Sequence, residues 1–299
     1  MKSGIINILK PPNMTSHDVV NFLRKIFNTK KVGHTGTLDP MAAGVLPICI
    51  GNATKISQYL LNDTKKYRCE MILGGNTDTQ DRWGNILTTR SVNINEKDII
   101  DVFHSFKGEI AQVPPMYSAI KHKGKKLYEL ARKGETVERA ERKVFIYELD
   151  IIRIKNERIL FDVLCSKGTY VRTLCEDIGN QLGCGAYMSF LLRTQSGRFT
   201  LGDSVTLERL ENTCIRQIEE AFLIPMDYPL VYMSKVKIKT KSGKYLLNGN
   251  NIYLKNIESY DDLPLGSMVR LYLDDKFIAL GKVRNDKDQI YVDIDRVFN

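Results

Sequence analysis

One stretch of this 299-residue sequence differs from an ordinary surface loop: Val32-Gly33-His34-Thr35-Gly36-Thr37-Leu38-Asp39-Pro40-Met41-Ala42-Ala43-Gly44. Its glycines at 33, 36 and 44 permit positive φ or close backbone approach, which a ligand-binding loop needs. It is neither a Walker A loop nor a dinucleotide fingerprint, because the required spacings are missing. Asp39 precedes Pro40, which suits the first position of a short helix, so free amide donors would stabilise the carboxylate there. The spacing leaves two interpretations open, an ordinary helix cap and a catalytic carboxylate.

On either side of this stretch the hydrophobic pattern predicts strands and helices in no regular order. A strand from Gly4 to Leu9 ends at Pro11-Pro12, and Thr15 or Ser16 caps a helix that runs to about Phe27. Further strands are predicted over 67–73, 143–154 and 157–165, and helices over 94–106 and 172–181. No βαβ repeat is present. The pattern therefore predicts an α+β fold, with a mixed, largely antiparallel sheet flanked by helices.

The residue pattern changes after Pro225-Met226-Asp227-Tyr228-Pro229. From there on, short β-type runs alternate with turn signals such as Asn248-Gly249-Asn250. This pattern is typical of a small all-β barrel of about 70 residues. We therefore predict two domains, 1–228 and 229–299, with a basic insertion at about 116–143 in the first.

Composition and charge limit the class of protein. Hydrophobic residues make up 43% and charged residues 26%, which is ordinary for a globular chain, and the formal net charge is +9. That excess favours a polyanionic partner. No run approaches 18 apolar residues and no secretory signal is present, so no membrane association and a cytoplasmic location are expected. The six cysteines and four histidines lack metal-ligand spacing, so neither a metal nor another cofactor is expected.

Residues 121–143 form the clearest basic segment, with nine Lys or Arg and four Glu. Its net charge of +5 is more than half of the charge of the whole chain, which predicts contacts with phosphates. The alternative is a solvated helix face with pairs such as Lys125–Glu129.

Two other segments carry charged side chains in turns. Residues 75–84 hold Asp78 and Asp81, whose spacing excludes a calcium loop and favours a structured turn after a strand. Residues 165–174 hold Tyr170 and Arg172, which have strand parity and are expected to face one side. An arginine where a strand leads into a helix is well placed to pair with a carboxylate.

These segments together resemble the bacterial tRNA pseudouridine-55 synthases, and the resemblance covers essentially the whole chain. The matching stretches are Gly33-His34-Thr35-Gly36-Thr37-Leu38-Asp39-Pro40, Lys65-Lys66-Tyr67-Arg68, Thr77-Asp78-Thr79, Pro115-Met116-Tyr117-Ser118-Ala119 and Ser166-Lys167-Gly168-Thr169-Tyr170-Val171-Arg172-Thr173. The resemblance implies the pseudouridine synthase fold with a C-terminal PUA-like RNA-binding barrel. It also implies isomerisation of the T-loop uridine at position 55 of tRNA to pseudouridine.

The resemblance assigns roles residue by residue. Asp39 matches the essential aspartate, Arg172 its arginine partner, and Tyr67 the tyrosine that stacks on the target base. The implied substrate-binding residues are His34, which fills the space left by the everted nucleotide, Tyr170 and Leu191 at the uracil, and Lys10, Lys121, Lys125 and Lys126. The run Leu191-Leu192-Arg193 departs from the family's leucine followed by two basic residues. Because Leu192 is not basic, the resemblance does not decide whether this chain makes one phosphate or loop contact of the family.

The reaction implied by the resemblance breaks the bond between C1′ and N1, rotates the uracil and joins it through C5. The nucleotide must first leave the RNA stack, at a cost of about a few kcal/mol. Asp39 then acts as a nucleophile or removes the 2′ proton, and Arg172 favours its ionised form. Tyr67 is a further candidate, as acceptor of the proton lost from C5.

The partners implied are the T-arm and the acceptor end of tRNA, bound by a monomer in the cytoplasm. RNA recognition is expected to rest on shape and aromatic stacking and to weaken steeply with salt. Two other functions stay open: a tRNA-binding chaperone without catalysis, and a guide-RNA-dependent synthase that modifies ribosomal RNA. A P-loop kinase is excluded by the motif spacing.

Overall fold

The computed structural model describes residues 2–61, 63–286 and 289–298. Its larger sheet has nine strands in the order β1-β3-β12-β4-β11-β10-β7, with β2 paired to β3 and β13 paired to β12. All neighbours pair antiparallel except β3 and β12, which are parallel. These strands are β1 Gly4–Lys10, β2 Val32–His34, β3 Ala43–Ile50, β4 Lys65–Leu73, β7 Gly108–Gln112, β10 Arg142–Lys155, β11 Arg158–Cys165, β12 Ala186–Ser196 and β13 Phe199–Thr200.

A second, curled sheet holds six strands in the order β15-β19-β18-β17-β14-β16. They are β14 Ser234–Ile238, β15 Ile252–Tyr253, β16 Ile257–Tyr260, β17 Met268–Leu273, β18 Lys276–Asp286 and β19 Gln289–Val297. Two small hairpins lie outside both sheets: β5 Gly75–Thr77 with β6 Ile86–Thr89, and β8 Lys121–His122 with β9 Lys125–Lys126.

Eight α-helices accompany these strands in the described part of the chain: α1 Ser16–Ile26, α2 Ser57–Leu60, α3 Glu96–Ser105, α4 Leu127–Ala131, α5 Val171–Gln181, α6 Leu207–Glu211, α7 Ile215–Ala221 and α8 Gly243–Leu247. None of them is long and apolar enough to cross a membrane. Thr15 caps α1 through a capping box with Asp18, which explains why this helix begins there.

The cores explain where the helices pack. Strands β4, β11 and β10 bury one face against α3 and α5, through side chains such as Phe161, Phe103 and Leu174. Strands β1 and β3 are covered on both faces: Ile6 and Ile48 pack with α1, and Ile5 and Val45 pack toward the second sheet. Burial on both faces explains the nearly continuous apolar runs of these two strands.

The α+β class is confirmed, as are the predicted strands over 4–9, 67–73, 143–154 and 157–165, within a residue or two. Asn156 turns the β10–β11 hairpin with a positive φ of 52°, and Gly183 follows α5 with a φ of 81°. Strand β12, which joins β3 to β4 in the sheet, was not predicted. The boundary between residues 228 and 229 stays a prediction.

Two local predictions are wrong. Residues 39–42 form a turn closed by the Ala42 amide on the Asp39 carbonyl, so Pro40 begins no helix. Tyr170 and Arg172 do not have strand parity, because β11 ends at Cys165 and Arg172 is the second residue of α5. Both differences matter for the site, since they decide which groups meet the Asp39 carboxylate.

Candidate active site

The predicted catalytic residues gather at one end of the larger sheet. Asp39 lies in the turn that leads into β3, and Arg172 lies in the first turn of α5. The Asp39 carboxylate and the Arg172 Nε are 2.9 Å apart. The arginine side chain is only 6% exposed, whereas the aspartate side chain is 34% exposed. The ion pair thus offers its carboxylate to solvent and keeps its cation inside the protein.

The Arg172 guanidinium has three further partners. It donates to the backbone carbonyls of Thr79, at 3.2 Å, and Tyr117, at 2.9 Å. The Asp81 carboxylate lies 3.6 Å from its Nη1. A buried guanidinium with this many acceptors has a fixed orientation, so it presents Nε to Asp39 in one geometry.

Asp81 belongs to the tight turn of the β5–β6 hairpin. Its carboxylate accepts from the Thr79 hydroxyl at 2.7 Å and from the Trp83 amide at 3.0 Å. The sequence predicted a structured turn at Asp81, which is present, but not the contact of Asp81 with Arg172. Nothing in the linear spacing of residues 81 and 172 indicates that contact.

Tyr67 points to the core side of β4, where it packs with the cluster that includes Leu191. Burial raises the pKa of the Tyr67 phenol, and the neighbouring Arg193 guanidinium opposes that rise. Arg193 is almost completely buried in β12 and donates to the carbonyls of Val45, Thr37 and Gly36 at 2.7, 3.3 and 3.3 Å. Arg193 therefore contacts both the turn before Asp39 and the side chain of Tyr67.

Arg193 was not predicted as a site residue. A signal was present, because an arginine inside the apolar run of residues 186–193 must find partners when buried. Its neighbour Leu192, where the family pattern has a basic residue, lies on the opposite side of β12 and is partly exposed.

Lys10 lies beneath the same turn. It is fully buried, and its ammonium donates to the carbonyls of Pro11, Met14 and Pro40 at 2.8, 2.7 and 3.4 Å. The prediction that Lys10 binds the substrate has no support in this geometry, because the ammonium is occupied inside the protein. The contact with Pro40 instead ties it to the residue after Asp39.

The other predicted substrate-binding residues differ in their exposure. His34 is half-buried in β2, and its Nδ1 accepts from the Gly36 amide at 3.3 Å. Burial lowers the pKa of His34, with a further contribution from Arg193. Tyr170 is half-buried directly before α5, and Leu191 is buried among core side chains.

The basic segment forms a short hairpin followed by a five-residue helix rather than a long charged helix. Lys121 pairs with Lys126 and His122 with Lys125 across β8 and β9. Lys121 and Lys125 are exposed and Lys126 is partly buried. The alternative Lys125–Glu129 pair is not formed: the Glu129 carboxylate accepts from the Lys126 amide instead. Within residues 2–61, 63–286 and 289–298, no three His, Cys, Asp or Glu side chains are close enough to hold a metal ion.

Comparison with known proteins agrees with this arrangement. Residues 24–171 match the family model described as TruB family pseudouridylate synthase, N-terminal domain, and residues 172–231 match the tRNA pseudouridylate synthase B C-terminal domain. The tRNA pseudouridine synthase B of Alkaliphilus oremlandii is 56% identical over 296 residues, covering 99% of this chain and 98% of the relative. The protein of that name from Clostridioides difficile is 47% identical, covering 98% and 99%.

Solved structures share the fold. A chain in the crystal structure of a Cbf5–Nop10–Gar1 complex is 31% identical with a TM-score of 0.75, covering 99% of this chain and 85% of that chain. A chain in the structure of an H/ACA RNP bound to a substrate RNA containing 2′-deoxyuridine is 29% identical, with a TM-score of 0.74 and the same coverages. With the family models, the close relatives and the Asp39–Arg172 geometry in agreement, the chain belongs to the TruB family of pseudouridylate synthases.

Proposed function

We propose that this chain converts the T-loop uridine at position 55 of tRNA to pseudouridine. The observation that carries the proposal is the ion pair of Asp39 and Arg172, with an exposed carboxylate on a buried guanidinium. The relatives named tRNA pseudouridine synthase B support tRNA as the substrate. The target nucleotide leaves its stack and enters beside Asp39, because the glycosidic bond is hidden while the loop is folded.

Asp39 is the residue that starts the chemistry. Two routes use a carboxylate in this position: attack on the sugar or the base, and removal of the 2′ proton to form a glycal-like intermediate. Both break the bond from C1′ to N1 and rejoin the sugar to C5 of the rotated uracil. Both also use Asp39 as a carboxylate, and the Arg172 Nε lies 2.9 Å from that carboxylate.

Tyr67 acts by stacking on the everted uracil. Because burial raises the pKa of its phenol, Tyr67 carries its proton at neutral pH. A phenol that keeps its proton is a poor acceptor for the proton lost from C5, so we assign stacking rather than proton acceptance to this residue. Leu191 packs in the same cluster and extends the apolar surface under the base.

His34 takes the place of the everted nucleotide in the RNA. The lowered pKa of its imidazole keeps it neutral near pH 7, which suits a side chain that packs between stacked bases. The exposed lysines 121 and 125, with Lys126, contact phosphates of the T-arm. The second sheet meets the acceptor end, and the protein acts as a monomer in the cytoplasm.

The decisive experiment compares Asp39→Asn with Asp162→Asn. Asp162 pairs with Arg68 at 2.9 Å on strands β11 and β4, away from Arg172, so it provides a matched loss of one carboxylate. We expect Asp39→Asn to abolish pseudouridine formation on a T-arm transcript, with tRNA affinity within about threefold of the original. Asp162→Asn should retain turnover. Turnover by Asp39→Asn would refute the assignment.

The two alternative functions make different predictions for the purified protein. A chaperone without catalysis would bind and refold tRNA but form no pseudouridine. A guide-RNA-dependent enzyme would need a second RNA. The proposal requires turnover of tRNA alone, measured by mass spectrometry of the digested product, and mapping to position 55.

A further inference from the structure

The tip of the β5–β6 hairpin carries the single tryptophan of the chain, and its side chain is exposed. Trp83 is 54% exposed, and it stands two residues after Asp81. Large aromatic side chains usually bury most of their surface, so a half-exposed tryptophan in a turn is unusual.

Hydrogen bonds hold the backbone of the turn at Trp83. Its amide donates to the Asp81 carboxylate at 3.0 Å, and the next amide, of Gly84, donates to the Asp81 carbonyl at 3.1 Å. A side chain at Gly84 would collide with the Asp78 carboxylate and the Thr79 hydroxyl, each 2.4 Å from an ideal Cβ. The turn is therefore packed tightly around its own polar groups, and the tryptophan projects from a fixed base.

The same turn touches the catalytic ion pair. The Asp81 carboxylate that holds the Trp83 amide lies 3.6 Å from Arg172, which lies 2.9 Å from Asp39. Three successive contacts thus connect the tryptophan backbone to the catalytic carboxylate. The turn that carries Trp83 therefore lies beside the ion pair at which the target uridine is proposed to react.

A cavity lies against the same hairpin. Arg82 and Ile86 line a cavity of about 320 Å³ together with Ile72 and Ser189. Ile72 follows the core residue Met71 along β4 and so faces the other side of the sheet. Trp83 does not line that cavity, although its two chain neighbours Arg82 and Gly84 do.

We infer that Trp83 is a stacking contact for a T-loop base that flanks the target uridine. When the target leaves the loop, its neighbours lose a stacking partner, and aromatic side chains commonly replace such partners in RNA complexes. The rigid turn makes the contact available before the RNA arrives. This inference rests on the proposed function and adds a residue that sets the affinity for the T-loop.

The first test uses the intact wild-type protein, because its fluorescence excited at 295 nm comes from Trp83 alone. Titration with a T-arm stem-loop should quench the emission in a saturable way. A control hairpin with the same stem and a tetraloop should leave the emission unchanged at equal RNA concentration. Equal quenching by both RNAs, or none by the T-arm, would overturn the inference.

The second test compares the kinetics of Trp83→Ala, Trp83→Phe and Ile86→Ala. Removing one base–aromatic stack is expected to raise KM for the stem-loop about 10-fold, while kcat changes less than about threefold. The phenylalanine variant should recover most of the loss. Ile86 is apolar and 65% exposed on the same hairpin, so Ile86→Ala is the matched control and should leave KM unchanged.

The outcomes separate this inference from the proposed function. If wild-type protein forms no pseudouridine in tRNA, the proposed function fails. If wild-type protein is active and Trp83→Ala has an unchanged KM, only the role of Trp83 is refuted. Thermal melting of Trp83→Ala identifies misfolding, and the wild-type fluorescence titration then decides the question without a variant.

Discussion

Two buried cations hold the turn that carries Asp39. Arg193 donates to the carbonyls of Gly36 and Thr37, and Lys10 donates to the carbonyl of Pro40. These carbonyls lie on both sides of Asp39 in the chain. Buried carbonyls without donors are costly, so the two cations stabilise one conformation of the turn. The orientation of Asp39 toward Arg172 follows from this support as well as from the ion pair itself.

Lys10 should make the stability of the protein depend on pH. Burial lowers the pKa of Lys10 from 10.5 to about 8, against smaller opposing effects of Asp39 and Asp18. Between these two values the unfolded chain binds more protons than the folded chain, so the contribution of Lys10 to the free energy of unfolding rises with pH. Lys10→Met lacks this titration. The free energy of unfolding of wild type minus that of Lys10→Met should therefore increase from pH 7.5 to pH 9.5.

Urea denaturation at three pH values measures this difference. The exposed Lys97 provides the control, because Lys97→Met also removes one ammonium but none of the buried contacts of Lys10. A difference for Lys10→Met that stayed constant or fell with rising pH would contradict the expected titration.

At the scale of elements, the parallel contact of β3 with β12 depends on a missing side chain. Gly44 has a φ of 117°, and a Cβ there would lie 2.2 Å from the Arg193 carbonyl oxygen. Gly44→Ala should lower the free energy of unfolding by more than about 2 kcal/mol, through clash and backbone strain together. Pseudouridine formation should fall with it, because the displaced strand carries Arg193.

Gly33 supplies the matched control for this change within the same sequence motif. An added Cβ at Gly33 meets nothing within 4 Å, and its φ is not in the left-handed region. Gly33→Ala should therefore change the stability by less than about 1 kcal/mol. Equal effects of the two substitutions in chemical denaturation would show that crowding at β12 is not the cause.

The hairpin of β8 and β9 brings like charges together. Lys121 faces Lys126 directly across the strands, and like charges in such pairs repel each other. A polyanion relieves that repulsion. Replacing Lys121, Lys125 and Lys126 with Gln should weaken tRNA binding and reduce the slope of log K against log salt by about 2 to 3. The double variant Lys97→Gln/Lys155→Gln, which neutralises lysines outside this hairpin, should change the slope little.

Strands and helices can be predicted from this sequence more accurately than the contacts between them. Strands β1, β4, β10 and β11 have clear patterns and flanking turns, and the Gly-rich stretch indicates the position of Asp39. Strand β12 was missed because its run of apolar residues has neither strand alternation nor helical period. Asp81 and Arg193 were missed for another reason: their partners are 91 and 148 residues away in the chain.

At the scale of the whole molecule, the two sheets share a core. Ile5 and Val45 of the larger sheet belong to the same buried cluster as Leu280 of the second sheet and Phe298, which directly follows β19. Polar contacts reinforce the junction, since the Tyr272 hydroxyl donates to the Asp227 carboxylate and Arg270 Nε donates to the Met233 carbonyl at 2.9 Å. Sheets joined in this way are expected to unfold together.

Calorimetry tests this coupling. Wild-type protein should unfold in one transition, and Tyr272→Phe should lower the free energy of unfolding by about 1–3 kcal/mol while keeping a single transition. Tyr260, which is 52% exposed, is the control, and Tyr260→Phe should have little effect. Two resolved transitions in wild type would contradict a shared core.

The common core also has a consequence for the length of RNA that fits. Strand β1 contributes Ile5 to the junction with the second sheet and ends at Lys10, under the turn of Asp39. Strand β1 and the shared cluster thereby connect the turn of Asp39 to the second sheet. An RNA that contacts both Asp39 and the second sheet must have a helix whose length matches the distance between them. Lengthening or shortening that helix by a few base pairs would remove either the loop or the terminus of the RNA from its contact with the protein.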